Sequence, residues 1–102
     1  MIFGVYELDG KIYDGFYDWE TWYKETFCPD TNVLLIIDLT VHGKTYEERK
    51  NDVVEKAIDF QDLGNVYDVQ LYWSELAEFG AYFEKQGKQY GLLNEFRENG
   101  IL

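Results

Sequence analysis

The chain has one cysteine, Cys28, so no disulfide can form within it and no second thiol can complete a metal site. As a thiolate nucleophile Cys28 would need basic neighbours, and its nearest acidic residues, Glu25 and Asp30, oppose that. There is one histidine, His42, and one serine, Ser74, so a serine–histidine–aspartate arrangement would have to use both. Ser74 precedes a helical pattern and is better explained as a helix cap. With one proline and no serine–glycine linker there is no sign of an internal boundary, and 102 residues read as a single domain, 1–102. A basic leader followed by a long apolar run is missing, and no apolar segment reaches membrane-spanning length. Together these absences predict a soluble, cytoplasmic protein with no catalytic residues, no metal site and no cofactor.

Basic residues are also scarce. Nine stand against twenty acids, for a net charge of −11. The excess runs along the whole chain and is not confined to a tail. A surface this negative repels nucleic acid and anionic membranes, and favours a basic partner or a cation. Aromatic residues, by contrast, make up 19% of the chain, and apolar residues 46%, enough for one core.

The longest apolar run is Val33-Leu34-Leu35-Ile36-Ile37, continued by Asp38-Leu39-Thr40-Val41. An unbroken run predicts a strand covered on both faces, so 33–41 is expected at the centre of a sheet. Ahead of it, Ile2 to Leu8 reads as a strand, Asp9-Gly10 as a hairpin turn, and Lys11 to Tyr13 as the returning strand. Asp18 is placed to cap a helix over 19–27, with Phe16, Trp19, Tyr23 and Phe27 at helical spacing. Thr45-x-x-Glu48 is a capping box for a helix to about 63, which should bury Val53, Val54, Ala57 and Ile58, with Gly64 as its left-handed stop. Val66 to Tyr72 alternates like a strand, with Tyr67, Val69, Leu71 and Trp73 on the drier side. A helix from Ser74 to Gln86, with Leu76, Phe79, Tyr82 and Phe83 inward and Gly87 as stop, precedes a last helix over 89–98. Gly100 and Ile101 fit a Schellman ending. The expected fold class is α/β or α+β. It would be a small mixed sheet with an N-terminal hairpin, a β-α-β-α-β core with parallel crossovers, and two C-terminal helices. The competing arrangement is an α+β meander.

Two stretches stand out as candidate partner-binding surfaces. Between residues 13 and 27 lie seven aromatics, among them Tyr17, Trp19, Trp22 and Tyr23, interspersed with Asp14, Asp18, Glu20 and Glu25. One narrow helical face cannot bury so many rings, and at least one of Trp19 and Trp22 is expected to be exposed. Exposed rings among acids suit a partner that offers arginine or lysine. The second stretch is Glu48, Asp52, Glu55, Asp59 and Asp62, spaced 4, 3, 4, 3 along the predicted helix. They form one acidic stripe about 20 Å long. For both stretches the alternative is an ordinary solvated face. Asp38, at the end of the apolar run, would suit a magnesium ligand if the sheet were parallel. His42-Gly43-Lys44-Thr45 ends like a phosphate-binding loop, but Asp38 stands where that motif needs its first glycine.

The runs from Gly43 to Lys50 and from Tyr90 to Ile101, with Glu75-Leu76-Ala77-Glu78-Phe79-Gly80 between them, resemble segments of small acidic proteins of Gram-positive phages and mobile elements. The resemblance covers the last two thirds of the chain and carries over no catalytic residue. It implies a context in which small acidic proteins neutralise host enzymes that handle DNA, restriction and CRISPR enzymes included, by a DNA-mimic type of contact. The leading expectation is therefore a non-enzymatic, acidic inhibitor or binding module that occupies a basic protein surface without touching nucleic acid or membrane. The alternatives are a magnesium-dependent phosphoryl-transfer enzyme, or a relic of one, centred on Asp38, and an accessory or structural homodimer of a mobile element.

Overall fold

In the computed structural model, which describes residues 1–102, Asp9 and Gly10 both take positive φ, 53° and 77°. Two left-handed residues make the tight turn whose twist matches a hairpin. They join β1 (Ile2–Leu8) to β2 (Lys11–Tyr17), paired from Ile2 with Tyr17 to Leu8 with Lys11. The returning strand therefore runs four residues past Tyr13, through Gly15. The chain continues into α1 (Trp19–Thr26) and comes back as β3 (Asn32–Asp38) on the free side of β1. The sheet order is β2-β1-β3, antiparallel throughout. Three helices follow: α2 (Tyr46–Asn65), α3 (Trp73–Tyr90) and α4 (Leu93–Glu98). The fold is α+β, a three-stranded antiparallel sheet with four helices. The chain divides into two compact units, Met1–Thr40 and Val41–Leu102.

In the first unit the centre of the sheet is β1, where Ile2, Phe3, Gly4 and Val5 are buried in succession. The expected central strand, β3, is an edge strand. Its apolar run is accommodated by a bulge: Val5 pairs with Leu35 but Tyr6 with Val33, so Leu34 is the extra residue. A bulge on an edge strand bends it and spoils it as a template for further pairing. Phe3, Val5 and Ile37 share one face, and Phe16 meets Phe3 there edge-on at 5.0 Å. The other face carries Tyr6 stacked on Tyr13 at 5.4 Å. At its middle Gly4 pairs with Gly15, leaving a trough without side chains.

In the second unit, Phe60 of α2 packs on Phe79 and Phe83 of α3, at 4.7 and 5.4 Å between ring centres. These contacts turn α2 so that Val53, Lys56, Ala57 and Leu63 are buried. Val54 is half-buried and Ile58 is exposed, contrary to the expected face. Along α3 the buried row is Glu75, Phe79, Phe83, Gly87 and Tyr90, and Leu76 is exposed. Gly87 does not end the helix. It lets α4 approach: a Cβ there would stand 2.9 Å from Leu93 Cδ2. The stop is Gly91, at φ 69°. Gly64 is likewise inside α2, which runs to Asn65. The Schellman ending is present, with the Ile101 amide donating to Phe96 O at 2.8 Å and Ile101 buried.

The expected strand over 66–72, and with it the parallel crossovers, does not form. The backbone there closes off α2 instead. The Val66 and Tyr67 amides donate to Asp62 O and the Val69 amide to Leu63 O. Groups already bonded to the end of a helix cannot also enter a strand ladder.

Candidate interaction surfaces

In α1 the two tryptophans are sorted by the glycine trough. The Trp22 indole fills it and is 3% exposed; a Cβ on Gly4 would stand 3.0 Å from its Nε1. Tyr17 lies over Gly15 and is half-buried. With Trp22 inward, the rings one step round the helix point out. Trp19, Tyr23 and Phe27, four residues apart, are 46%, 61% and 58% exposed. Tyr23 and Phe27 stack at 5.2 Å with their planes 10° apart, and Trp19 meets Trp22 edge-on at 6.3 Å. The helical spacing of these three rings is real, but it describes the outward face.

Acids surround this ladder. Asp18 is the N-cap residue, yet its side chain makes no capping bond; its carbonyl accepts from the Trp22 amide. Its carboxylate and those of Glu20 and Glu25 lie in solvent. The only base nearby in sequence, Lys24, is bonded to Glu20 at 2.7 Å. Of the predicted site residues, α1 thus presents Trp19, Tyr23, Asp18 and Glu20 together, and Phe27 joins them. Trp22 and Tyr17 belong to the packing beneath. Asp14 pairs with Val5, so its side chain is on the opposite face of the sheet.

The acidic stripe of α2 is a flank, not a far side. Its members each precede a position of the inward row 49, 53, 56, 60 and 63, about 100° away round the helix. Two of the five are bonded into the fold. Glu48 Oε2 accepts from the Lys44 and Thr45 amides, and Thr45 Oγ1 accepts from the Glu48 amide, completing the capping box. Asp52 Oδ2 accepts from the His42 amide at 2.8 Å and from the buried Lys56 Nζ at 2.6 Å. Burial pushes the Asp52 carboxyl up, but these bonds and the Lys56 charge outweigh it, and its pKa lies below the ordinary aspartate value. Asp59 is shifted the other way. Burial raises its pKa first, then the charges of Asp62 and Glu55, with Lys56 in partial opposition. Glu55, Asp59 and Asp62 remain as a like-charged cluster.

Asp38 Oδ1 accepts from the Thr40 amide at 2.9 Å, a turn-forming role at the end of an antiparallel edge strand. No group of three His, Cys, Asp or Glu side chains gathers in metal-binding geometry. The parallel-sheet edge that the alternative reading of Asp38 as a magnesium ligand would need is not formed. No helix is long and apolar enough to cross a membrane.

One surface was missed in the sequence. Trp73, assigned to the drier side of a strand, is the first residue of α3 and is 88% exposed; Tyr72 before it is 73% exposed. The signal was in the helix period. Trp73 lies two residues before Glu75, the start of the buried row, and so about 200° from it.

No protein-family model, curated protein or solved structure matches this chain.

Proposed function

We propose that this protein is a non-enzymatic binding module that occupies a basic surface of another protein. The observation behind this reading is the outward ladder of Trp19, Tyr23 and Phe27 among the exposed carboxylates of Asp18, Glu20 and Glu25, of which Glu20 is paired with Lys24. Rings in water are unfavourable unless a partner covers them, and stacked aromatic faces attract arginine and lysine most strongly once desolvated. The remaining α2 acids and a net charge of −11 would steer a basic partner from a distance. Nucleic-acid-handling enzymes have such basic channels, and an inhibitor that covers one is the most specific form of the proposal. It would act in the cytoplasm, on the protein and not on the nucleic acid.

The test is capture from a bacterial lysate across a salt series, with the chain and with a Trp19→Ala, Tyr23→Ala, Phe27→Ala variant. A basic protein should be held by the parent chain, weakly by the variant, and less as salt rises past physiological strength, where the Debye length is about 8 Å. Equal capture by both chains would remove α1 as the surface. Capture that ignores salt would remove the basic-partner reading.

A further inference from the structure

Ile58 sits in the middle of α2 and is 52% exposed. A single apolar residue in water needs no explanation, but Ile58 is not isolated. It lines a groove of 220 Å³ between α2 and α4, with half-buried Val54 and buried Ala57, Phe96 and Ile101. Polar bonds fix α2 against the end of α4 beside it: Gln61 Nε2 donates to Asn99 O, and Asn99 Nδ2 to Glu95 O. An apolar cavity of about 150 Å³ holds a benzene ring, so this groove has room for one large side chain.

Acids stand on both of its walls. On α2, Glu55 and Asp62 come three residues before and four after Ile58, so they flank it on the helix surface, with Asp59 between them along the helix. On α4, Glu95 lines the groove itself. None of the four carboxylates is in an ion pair. Burial, and then the charges of Asp62 and Glu55, raise the Asp59 pKa, with Lys56 opposing in part. The bases of the two helices are mostly committed elsewhere. Lys56 is buried and bonded to Asp52, Arg49 is bonded to Tyr90, and Arg97 lines a different groove with Gly87 and Lys88. Lys50, one turn before Val54, is the one base on the groove's row.

We infer that this groove receives one large apolar side chain of a partner segment that carries lysine or arginine on both sides of it. The apolar side chain would cover Val54, Ile58 and Phe96. The basic groups would meet Glu55 and Asp62 along α2, and Glu95 across the groove. Glu55 and Asp62 are about 10 Å apart along the helix axis, the span of about three residues of extended chain. Apolar burial supplies attraction without choice, and the flanking charges decide which segments enter. A second copy of the chain is the poorer occupant, because it would bring a net charge of −11 against this acidic rim. The inference rests on the basic-partner reading and adds to it a second surface, with its own requirement for an apolar residue.

The experiment uses the full chain, isotope-labelled at its methyl groups, and a synthetic peptide with one leucine between two runs of lysine. The peptide should shift the methyl resonances of Val54, Ile58 and Ile101, and the shifts should saturate. Replacing its leucine by glycine should weaken binding at least tenfold, and replacing its lysines by glutamates should abolish it. Ile58→Gln changes a side chain that is already half in water, and should also weaken binding at least tenfold. The glycine peptide gives the same answer on the parent chain if that variant does not fold. The Trp19→Ala, Tyr23→Ala, Phe27→Ala variant should bind the peptide at these methyls as the parent does. Equal binding of the leucine and glycine peptides, or shifts confined to other residues, overturns the groove and leaves the basic-partner reading standing. No binding of the lysine peptide at millimolar concentration also overturns it, whereas the basic-partner reading stands or falls by the salt series of the lysate capture. Shifts of the same methyls with chain concentration alone, in a dimer seen by sedimentation, assign the groove to a second copy and overturn the inference.

Discussion

The aromatic ladder of α1 and the acidic stripe of α2 look alike in sequence: each is a regular series of one residue type on a helix. They differ in what the fold has already taken from them. Glu48 closes the cap of α2, and Asp52 holds the His42 amide and the buried Lys56. Of the three outward rings, Tyr23 and Phe27 stack on each other and Trp19 meets Trp22 edge-on, and none forms a hydrogen bond into the fold. A periodic series is therefore a surface only to the extent that none of its members is bonded inward. By that measure the ladder is a surface along its whole length, and the stripe only over its second half.

The sharpest way to break this contrast is Asp52→Ala. It leaves Lys56 buried without its partner and the His42 amide without its acceptor. Removing one member of a buried pair costs about 3 kcal/mol, the low end of the range, since the carboxylate still meets some solvent. Thermal or urea unfolding should show that loss. A change below about 1 kcal/mol would return Asp52 to the solvated stripe.

A smaller effect separates Asp52 from Asp59 by pH. The folded-state pKa of Asp52 is depressed, so its stabilisation is present above the unfolded value and lost as pH falls through the folded one, below about pH 4. Asp59 is raised, so the folded chain holds that proton more tightly than the unfolded chain. Its contribution is favourable in acid and is lost as pH rises through the folded value, above about pH 4. Asp52→Asn should therefore lower stability at pH 7 and flatten the acid limb of the curve. Asp59→Asn should raise stability at pH 7 and leave that limb steeper. Urea midpoints at pH 3 and pH 7 read both, and same-sign changes at pH 7 would show the stripe to be uniform.

Much of the local structure was legible from short-range chemistry. The Asp9-Gly10 turn, the Thr45–Glu48 box and the Gly100–Ile101 ending each rest on residues within a few positions of one another, and each forms as read. Non-local pairing was harder to read. The run Val33–Ile37 says that a strand is apolar, and nothing about whether one neighbour or two flank it; a bulge at Leu34 let it serve as an edge. Residues 66–72 have a strand's alternation, but the amides of Val66, Tyr67 and Val69 went to the end of α2. At the candidate site, the excess of rings in 13–27 was readable. Which tryptophan turned inward depended on Gly4 facing Gly15 across two strands, which no spacing within α1 encodes.

The smallest effect belongs to the ladder itself. Tyr23 and Phe27 are more than half exposed and stack chiefly on each other, so removing both forfeits one solvent-facing ring contact and little burial. Surface substitutions of this kind change stability by about 0.5 kcal/mol or less. The helix should tolerate the change, because alanine has a higher helix propensity than tyrosine or phenylalanine. Tyr23→Ala with Phe27→Ala should thus leave the unfolding midpoint nearly unmoved, while Asp52→Ala lowers it by about 12 °C or more. The tryptophan spectrum gives an internal check. Trp22, in the trough over Gly4, should stay protected from a soluble quencher in the double variant, and Trp19 should stay accessible. If the variant instead loses stability on the scale of a core truncation, or Trp22 becomes accessible, Tyr23 and Phe27 are holding α1 onto the sheet. The ladder would then be tied into the fold just as Asp52 is, and the difference between the two helices would vanish.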